Sequence, residues 1–281
     1  MLVAELSAIL SPPPGSYSLQ RVRGAGRLSV HQRDGRARLA ELFQEGAAKI
    51  RLPHTHDASL QGVLMNTAGG LTDGDRLAWT AAAGPQSHLV LTTPACERVY
   101  RSLGDDAQID VGLVAESGAR IDWLPQETIL FEGARLRRTI DVDLAEDATF
   151  LAVEAVILGR QAMGEAALNA CLSDSWRIRR GGRLIHAEET RLSGDPVERE
   201  GSSLLAGHTA FATLLYLGKD AEQRREALRN LPDHAGLGHS LLGQRLVVRL
   251  LAPSGLALRR LLIPIIAVFS EGTALPRLWH L

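Results

Sequence analysis

Ala83-Gly84-Pro85-Gln86-Ser87 runs into His88-Leu89-Val90-Leu91-Thr92. Glu116-Ser117-Gly118-Ala119 runs into Arg120-Ile121-Asp122-Trp123-Leu124, and Ala145-Glu146-Asp147-Ala148 runs into Thr149-Phe150-Leu151-Ala152-Val153. Three times a small or polar corner precedes a short apolar run. The corners recur about every 30 residues, within the range expected of stacked β units. Such a unit buries its apolar face only against its neighbour. Between the corners, residues 107–114 and 139–144 alternate apolar and polar side chains, as half-buried strands do.

Working outward, Arg33-Asp34-Gly35 and Arg180-Gly181-Gly182-Arg183 read as hairpin corners, because both supply residues that tolerate positive φ. The expected fold is therefore mainly β, with antiparallel strands stacked in a β-helical, solenoid-like arrangement. Helices are expected only in the C-terminal third. Residues 220–231 carry strong helix formers after an Asp. Residues 254–270 have helical spacing, with Pro264 expected to kink or divide them. Pro12-Pro13-Pro14-Gly15 favours a flexible segment over residues 1–18. No shift in composition marks a boundary afterwards, so residues 19–281 read as a single domain.

The chain has 281 residues, 45% of them hydrophobic, and a formal net charge of −1. With no basic excess to release counterions, nucleic acid is not an expected partner. Aromatic residues, at 4%, are too few for base-stacking platforms. Two cysteines, Cys96 and Cys171, give neither a disulfide framework nor a CxxC site. The first residues lack a basic n-region, and the longest apolar run is too short to span a bilayer. A cytoplasmic location is expected, with no membrane partner.

Three groups of residues invite chemistry. Asn66-Thr67-Ala68-Gly69-Gly70-Leu71-Thr72-Asp73-Gly74-Asp75 is glycine-rich, but it lacks the Lys-Ser/Thr ending or GxGxxG spacing of a phosphate loop. It reads as a turn needing positive φ, with Asp73 and Asp75 as cation ligands or turn caps. His54-Thr55-His56 puts two imidazoles on one face if extended, which suits nickel or zinc; a solvated loop is the plainer alternative. Cys96 reads as a small buried hydrophobe. Lastly, Glu127 and Glu154 lie inside apolar runs, and Glu188 beside Glu189 follows one. A carboxylate in a core strand needs a partner or water. Arg98, Arg101, Arg135, Arg137, Arg138 and Arg160 are candidates for structural ion pairs. Alternatively, Glu97, Glu127 and Glu154 line one hydrated interior axis.

Longer stretches carry a family resemblance. NTAGGLTDGDRL (66–77), TTPACERVYRS (92–102), WLPQETILFEGARLRR (123–138) and FLAVEAVILGRQAMGE (150–165) closely resemble the urease accessory protein UreD family, also called UreH. QEGAAKIRLP (44–53) and LPRLWHL (275–281) are similar too. The resemblance implies a β-rich, non-enzymatic scaffold for nickel insertion. Its partners would be UreF, the GTPase UreG and apo-urease, with GTP hydrolysis in the partner and no tightly bound cofactor, only nickel in transit. By motif, the metal path would include Asp75, Glu154 and Glu188, with Glu97 nearby. Where the family commonly reads GGLTGGD, this chain has Asp73, so the turn gains a charge. Scattered carboxylates suit a conduit, which must bind and release. The competing reading is a metal-dependent hydrolase using Asp73, Asp75, His54 and His56; a third is an adaptor whose carboxylates only make ion pairs. For the surface that meets UreF, the C-terminal helices are the expected site, and packing on the β core is their alternative use.

Overall fold

The computed structural model describes residues 20–232, 234–270 and 275–280. The segment 1–18, expected to be flexible, lies outside the described residues. Two β-sheets face each other. The first contains β1 (Arg23–Arg33), β2 (Arg36–Gly46), β5 (Arg76–Ala83), β8 (Ala107–Ala115), β11 (Arg135–Leu144), β13 (Cys171–Arg180) and β14 (Arg183–Leu192). The second contains β3 (Ala48–Arg51), β4 (Leu60–Asn66), β6 (His88–Thr92), β9 (Arg120–Leu124), β12 (Thr149–Leu158), β15 (Ala210–Leu217), β16 (Leu237–Leu242) and β17 (Arg245–Ala252). Their spatial orders are β14-β13-β11-β8-β5-β1-β2 and β16-β17-β15-β12-β9-β6-β4-β3. Two short strands, β7 (Glu97–Val99) and β10 (Thr128–Leu130), pair beside β12.

The chain winds β5-β6-β7, then β8-β9-β10, then β11-β12-β13, a β-solenoid of about four turns. Each circuit returns beside its predecessor in the same direction. The stacked pairs β5–β8, β8–β11, β11–β13, β6–β9 and β9–β12 are therefore parallel. This corrects the expectation of antiparallel pairing in the repeat. Alternation shows which side chains point inward, but not which strand lies alongside. The repeated corners join facing sheets, whereas Asp34-Gly35 and Gly181-Gly182, all at positive φ, close true hairpins. Antiparallel pairs occupy the ends of the stack, among them β3–β4, β12–β15 and β15–β17.

The corners also stack on one another. Gln86 N–H donates to the Ser117 carbonyl at 2.9 Å, and Gly118 N–H donates to Asp147 Oδ1 at 2.9 Å. Between the sheets, Leu89, Ile121, Phe150 and Leu217 sit in register and are buried, so one apolar ladder runs through successive coils.

Strand β12 is buried on both faces, which explains its nearly unbroken apolar run. Its outer face lies beneath α2 (Ala221–Arg229) and α3 (Gly255–Phe269), where Leu151 and Val153 join Leu258, Leu262, Ile266 and Phe269 in a second core. Each fully buried side chain of this size contributes about 1.5–3 kcal/mol. Ser254 caps α3 by accepting from Ala257 N–H at 3.2 Å. Pro264 does not divide α3; apolar residues on both sides of it are anchored to the sheet, which offsets the lost helix hydrogen bond. The apolar faces of α2 and α3 thus pack on the β core. A five-residue helix, α1 (Pro196–Glu200), was not expected; Asp195 caps it. Among the described residues no helix is long and apolar enough to cross a membrane.

Candidate functional site

The glycine-rich turn of residues 66–75 is a structural corner. Gly69, Gly70 and Gly74 have positive φ, whereas Asp73 does not, so the extra aspartate imposes no left-handed strain. Asp73 instead clamps the next loop. Its Oδ1 accepts from Ser102 Oγ at 2.9 Å and from the Gly104 and Asp105 amides, while Arg21 reaches Oδ2 at 2.5 Å. These contacts, the Ser102 hydroxyl first, hold its carboxyl below the usual range despite burial. Asp75 is 2% exposed, and each oxygen accepts a backbone amide: Val22 N–H at 2.7 Å and Thr72 N–H at 2.8 Å.

His54 and His56 lie exposed in a loop. Among the described residues no three His, Cys, Asp or Glu side chains approach closely enough to hold a metal ion. The four-residue hydrolase site is not assembled. Cys96 and Cys171 are free thiols. Burial and the neighbouring Glu127 push the Cys96 thiol up to about 12, so it stays protonated and unreactive at neutral pH.

The carboxylates in apolar strands behave differently. Arg138 of β11 and Asp174 of β13 are register partners, both inward-facing and buried. The guanidinium spans the carboxylate, Nε to Oδ1 at 3.1 Å and Nη2 to Oδ2 at 2.6 Å. Its remaining arm reaches Thr128 Oγ1 at 3.2 Å and makes a close ion pair with Glu154 Oε2. Two indoles complete the cluster: Trp123 Nε1 donates to Glu154 Oε1 at 2.8 Å, and Trp176 Nε1 donates to Asp174 Oδ1 at 3.1 Å. Burial opposes charge on Arg138, but Asp174 and Glu154 outweigh it and raise its pKa. Burial pushes Glu154 up to about 7 against the pull of Arg138. The cluster therefore gathers two buried carboxyl groups around one guanidinium.

This cluster is the middle of a longer line. On one side, Thr128 is the register partner of Glu97, whose Oε1 accepts from Asn66 Nδ2 at 3.1 Å. Burial pushes Glu97 up to about 7. On the other side, Glu154 pairs across β15 with Thr213, and Thr213 with Arg249 of β17. Arg249 donates to Thr213 Oγ1 at 3.3 Å and holds Glu188 through both oxygens, at 2.7 and 2.8 Å. Glu188 borders two clefts, about 710 and 390 Å³, between β14 and the β16–β17 hairpin. His186, two residues earlier on β14, also lines the smaller one. Burial, aided by Arg245 and Arg249 and opposed by Glu188, lowers its pKa and leaves the ring neutral at pH 7.

Glu97, Glu154 and Glu188 thus fall along one interior line, while Asp75 sits apart in the turn. Glu127 also departs from it. It is one residue out of step with Thr128, so it points to the opposite face. There Arg259 of α3 meets both its oxygens, at 3.1 and 2.9 Å, and also donates to the Leu278 carbonyl. This ion pair fastens the C-terminal segment, with Trp279 beneath the guanidinium. Asp174, His186, Trp123, Trp176 and Arg249 were not singled out from sequence. Arg138 appeared there only as an ion-pair candidate, although Leu136, Ile140 and Val142 share its inward parity.

The profile of the family described as "UreD urease accessory protein" matches residues 22–280. A urease accessory protein UreD from Chelativorans sp. (strain BNC1) is 57% identical over 96% of this chain and 97% of its own length. The corresponding proteins of Rhizobium rhizogenes and Rhizobium etli are 53% and 52% identical, each over 93% of this chain and 96% of its own. With a profile covering almost every described residue and near-full-length relatives above half identity, the chain belongs to the UreD urease accessory protein family.

Proposed function

We propose that this protein is a nickel-insertion scaffold that joins UreF and the GTPase UreG, docks on apo-urease and passes nickel toward the urease active site. It has no catalysis of its own, GTP hydrolysis belongs to the partner, and nickel is cargo rather than a resident cofactor. The observation that carries the reading is the interior line from Glu97 through Arg138, Glu154 and Asp174 to Glu188. An interior designed only for stability would be apolar, because buried ion pairs are often no better than well-packed hydrophobic residues. Carboxylate oxygens hold a nickel ion more weakly than soft or imidazole donors do. A cluster of thiolates and imidazoles would retain it, and none is present among the described residues.

Asp75 has a supporting part in this reading, since both its oxygens are already engaged by backbone amides. Co-expression with UreF, UreG and the urease subunits tests the scaffold role. The expected result is one co-purifying assembly, and urease whose nickel content falls when this chain is omitted. Full nickel loading without the chain contradicts the proposal.

A further inference from the structure

We propose that two copies of this chain pair through the outer edge of β2, antiparallel about a two-fold axis between Ala40 and Glu41. The pairing is independent of nickel delivery and follows from the open end of the solenoid.

β2 ends the seven-stranded sheet, and among the described residues its only strand partner is β1. Ala37 N–H donates to the Ala58 carbonyl at 2.8 Å, so the open edge starts at Arg38. From there to Gly46 every residue is exposed, Leu39, Leu42 and Phe43 included. An exposed edge strand offers unpaired amides and carbonyls to another strand, and residues 38–46 hold neither Lys nor Pro to guard it.

A β-bulge selects the occupant. Glu41 and Leu42 oppose Ser29 and Leu28, but Leu39 opposes Val30, which leaves Ala40 without a partner on β1. Leu28 and Val30 are buried between the sheets, so Leu39 and Leu42 both face inward. Arg38 and Phe43 oppose His31 and Arg27 on the outer face. The strand therefore reads alike from both ends: outer Arg38, inner Leu39, the bulge, inner Leu42, outer Phe43. A regular strand laid along it falls out of step at the bulge, and one residue of slip turns every side chain to the wrong face. A second copy keeps step, because the two bulges meet at the axis. Leu39 then lies opposite Leu42, and Arg38 opposite Phe43, each pair on one face.

Charge selects the same occupant. Neither Arg38 nor Glu45 has an ion-pair partner among the described residues, whereas Glu41 is already held by Arg27 at 3.0 Å. In the pair, Arg38 lies diagonal to Glu45 of the second copy, within reach of a long side chain. The contact occurs twice, as a self-complementary two-fold interface requires. The paired leucines also cover the end of the core, which stacking alone leaves open in a solenoid.

Sedimentation velocity of the full-length chain over a wide range of concentration tests the pairing. The 30.3 kDa chain is expected to give way to a species of twice that mass as concentration rises. Arg38→Glu and Glu45→Arg each set like charges across the interface, and each should weaken pairing about tenfold or more. An equimolar mixture of the two variants restores opposite charges at both contacts and should recover pairing to near the wild-type level. A merely damaged fold does not recover on mixing. A wild-type chain that stays monomeric overturns the proposal and leaves the edge to another kind of partner. Undiminished pairing in both variants, or no recovery in the mixture, overturns it as well by placing the contact elsewhere.

Discussion

Arg138 and Asp174 are cross-strand partners buried in the interior of the solenoid, and the guanidinium engages both carboxylate oxygens. The pair follows from register. Leu136, Arg138, Ile140 and Val142 point inward on β11, while Leu172, Asp174, Trp176 and Ile178 do so on β13. Parallel stacking in step therefore sets the one inward cation beside the one inward carboxylate of the next coil.

Removing the cation alone should be costly. Arg138→Met leaves Asp174 and Glu154 buried without a countercharge, and a loss of about 3–5 kcal/mol is expected. Chemical denaturation of the purified variant measures it. Adding Asp174→Asn and Glu154→Gln to the same chain should recover much of that loss, because the stranded charges disappear together.

Glu97 makes stability depend on pH. Its folded pKa, about 7, lies above the ordinary carboxyl value of 4.5. Between these values the folded chain binds the proton more tightly than the unfolded chain does. Its contribution is therefore neutral below about pH 4.5 and falls as pH rises to about 7, remaining unfavourable above. Glu97→Gln removes the ionisation and keeps an acceptor for Asn66. The variant is expected to gain on the order of 2 kcal/mol relative to wild type at pH 8, and little at pH 4.5. Unfolding midpoints measured across that range check the sign.

Gly70 fixes the corner that lies against β7, the strand of Glu97. Its φ is +151°, and a Cβ there would lie 2.8 Å from the Arg98 carbonyl oxygen and 2.3 Å from the Tyr100 ring. Asn66 also donates to its carbonyl. Gly70→Ala should cost about 1–3 kcal/mol by backbone strain alone. Thermal unfolding of this variant beside Gly69→Ala, where a Cβ meets nothing within 4 Å, separates crowding from positive φ.

Much of the solenoid was legible because period-two alternation and recurring corners are local properties. Asp34-Gly35 and Gly181-Gly182 declared their hairpins through the backbone they require. Parallel pairing was not legible, because a corner leading to a facing sheet looks like one leading to a neighbour. For the site, Glu154 stood out as a carboxylate in an apolar run. Its true neighbours come from strands about 16 and 20 residues away and from β9, and only register brings them together. Glu127 shows the limit most plainly: one residue of offset sends it to Arg259 on α3, 132 positions along the chain. His186 gave no local sign, since its burial beside Glu188 is a property of the fold.

The interior line is tested most directly at Glu154, where Gln retains the Trp123 hydrogen bond and removes the negative charge. Urease activated in the presence of the Glu154→Gln chain should be assayed for bound nickel, with co-purification confirming that the complex still assembles. The expected result is intact assembly with nickel content reduced several-fold. Full nickel loading by an assembled Glu154→Gln complex would contradict passage along this line.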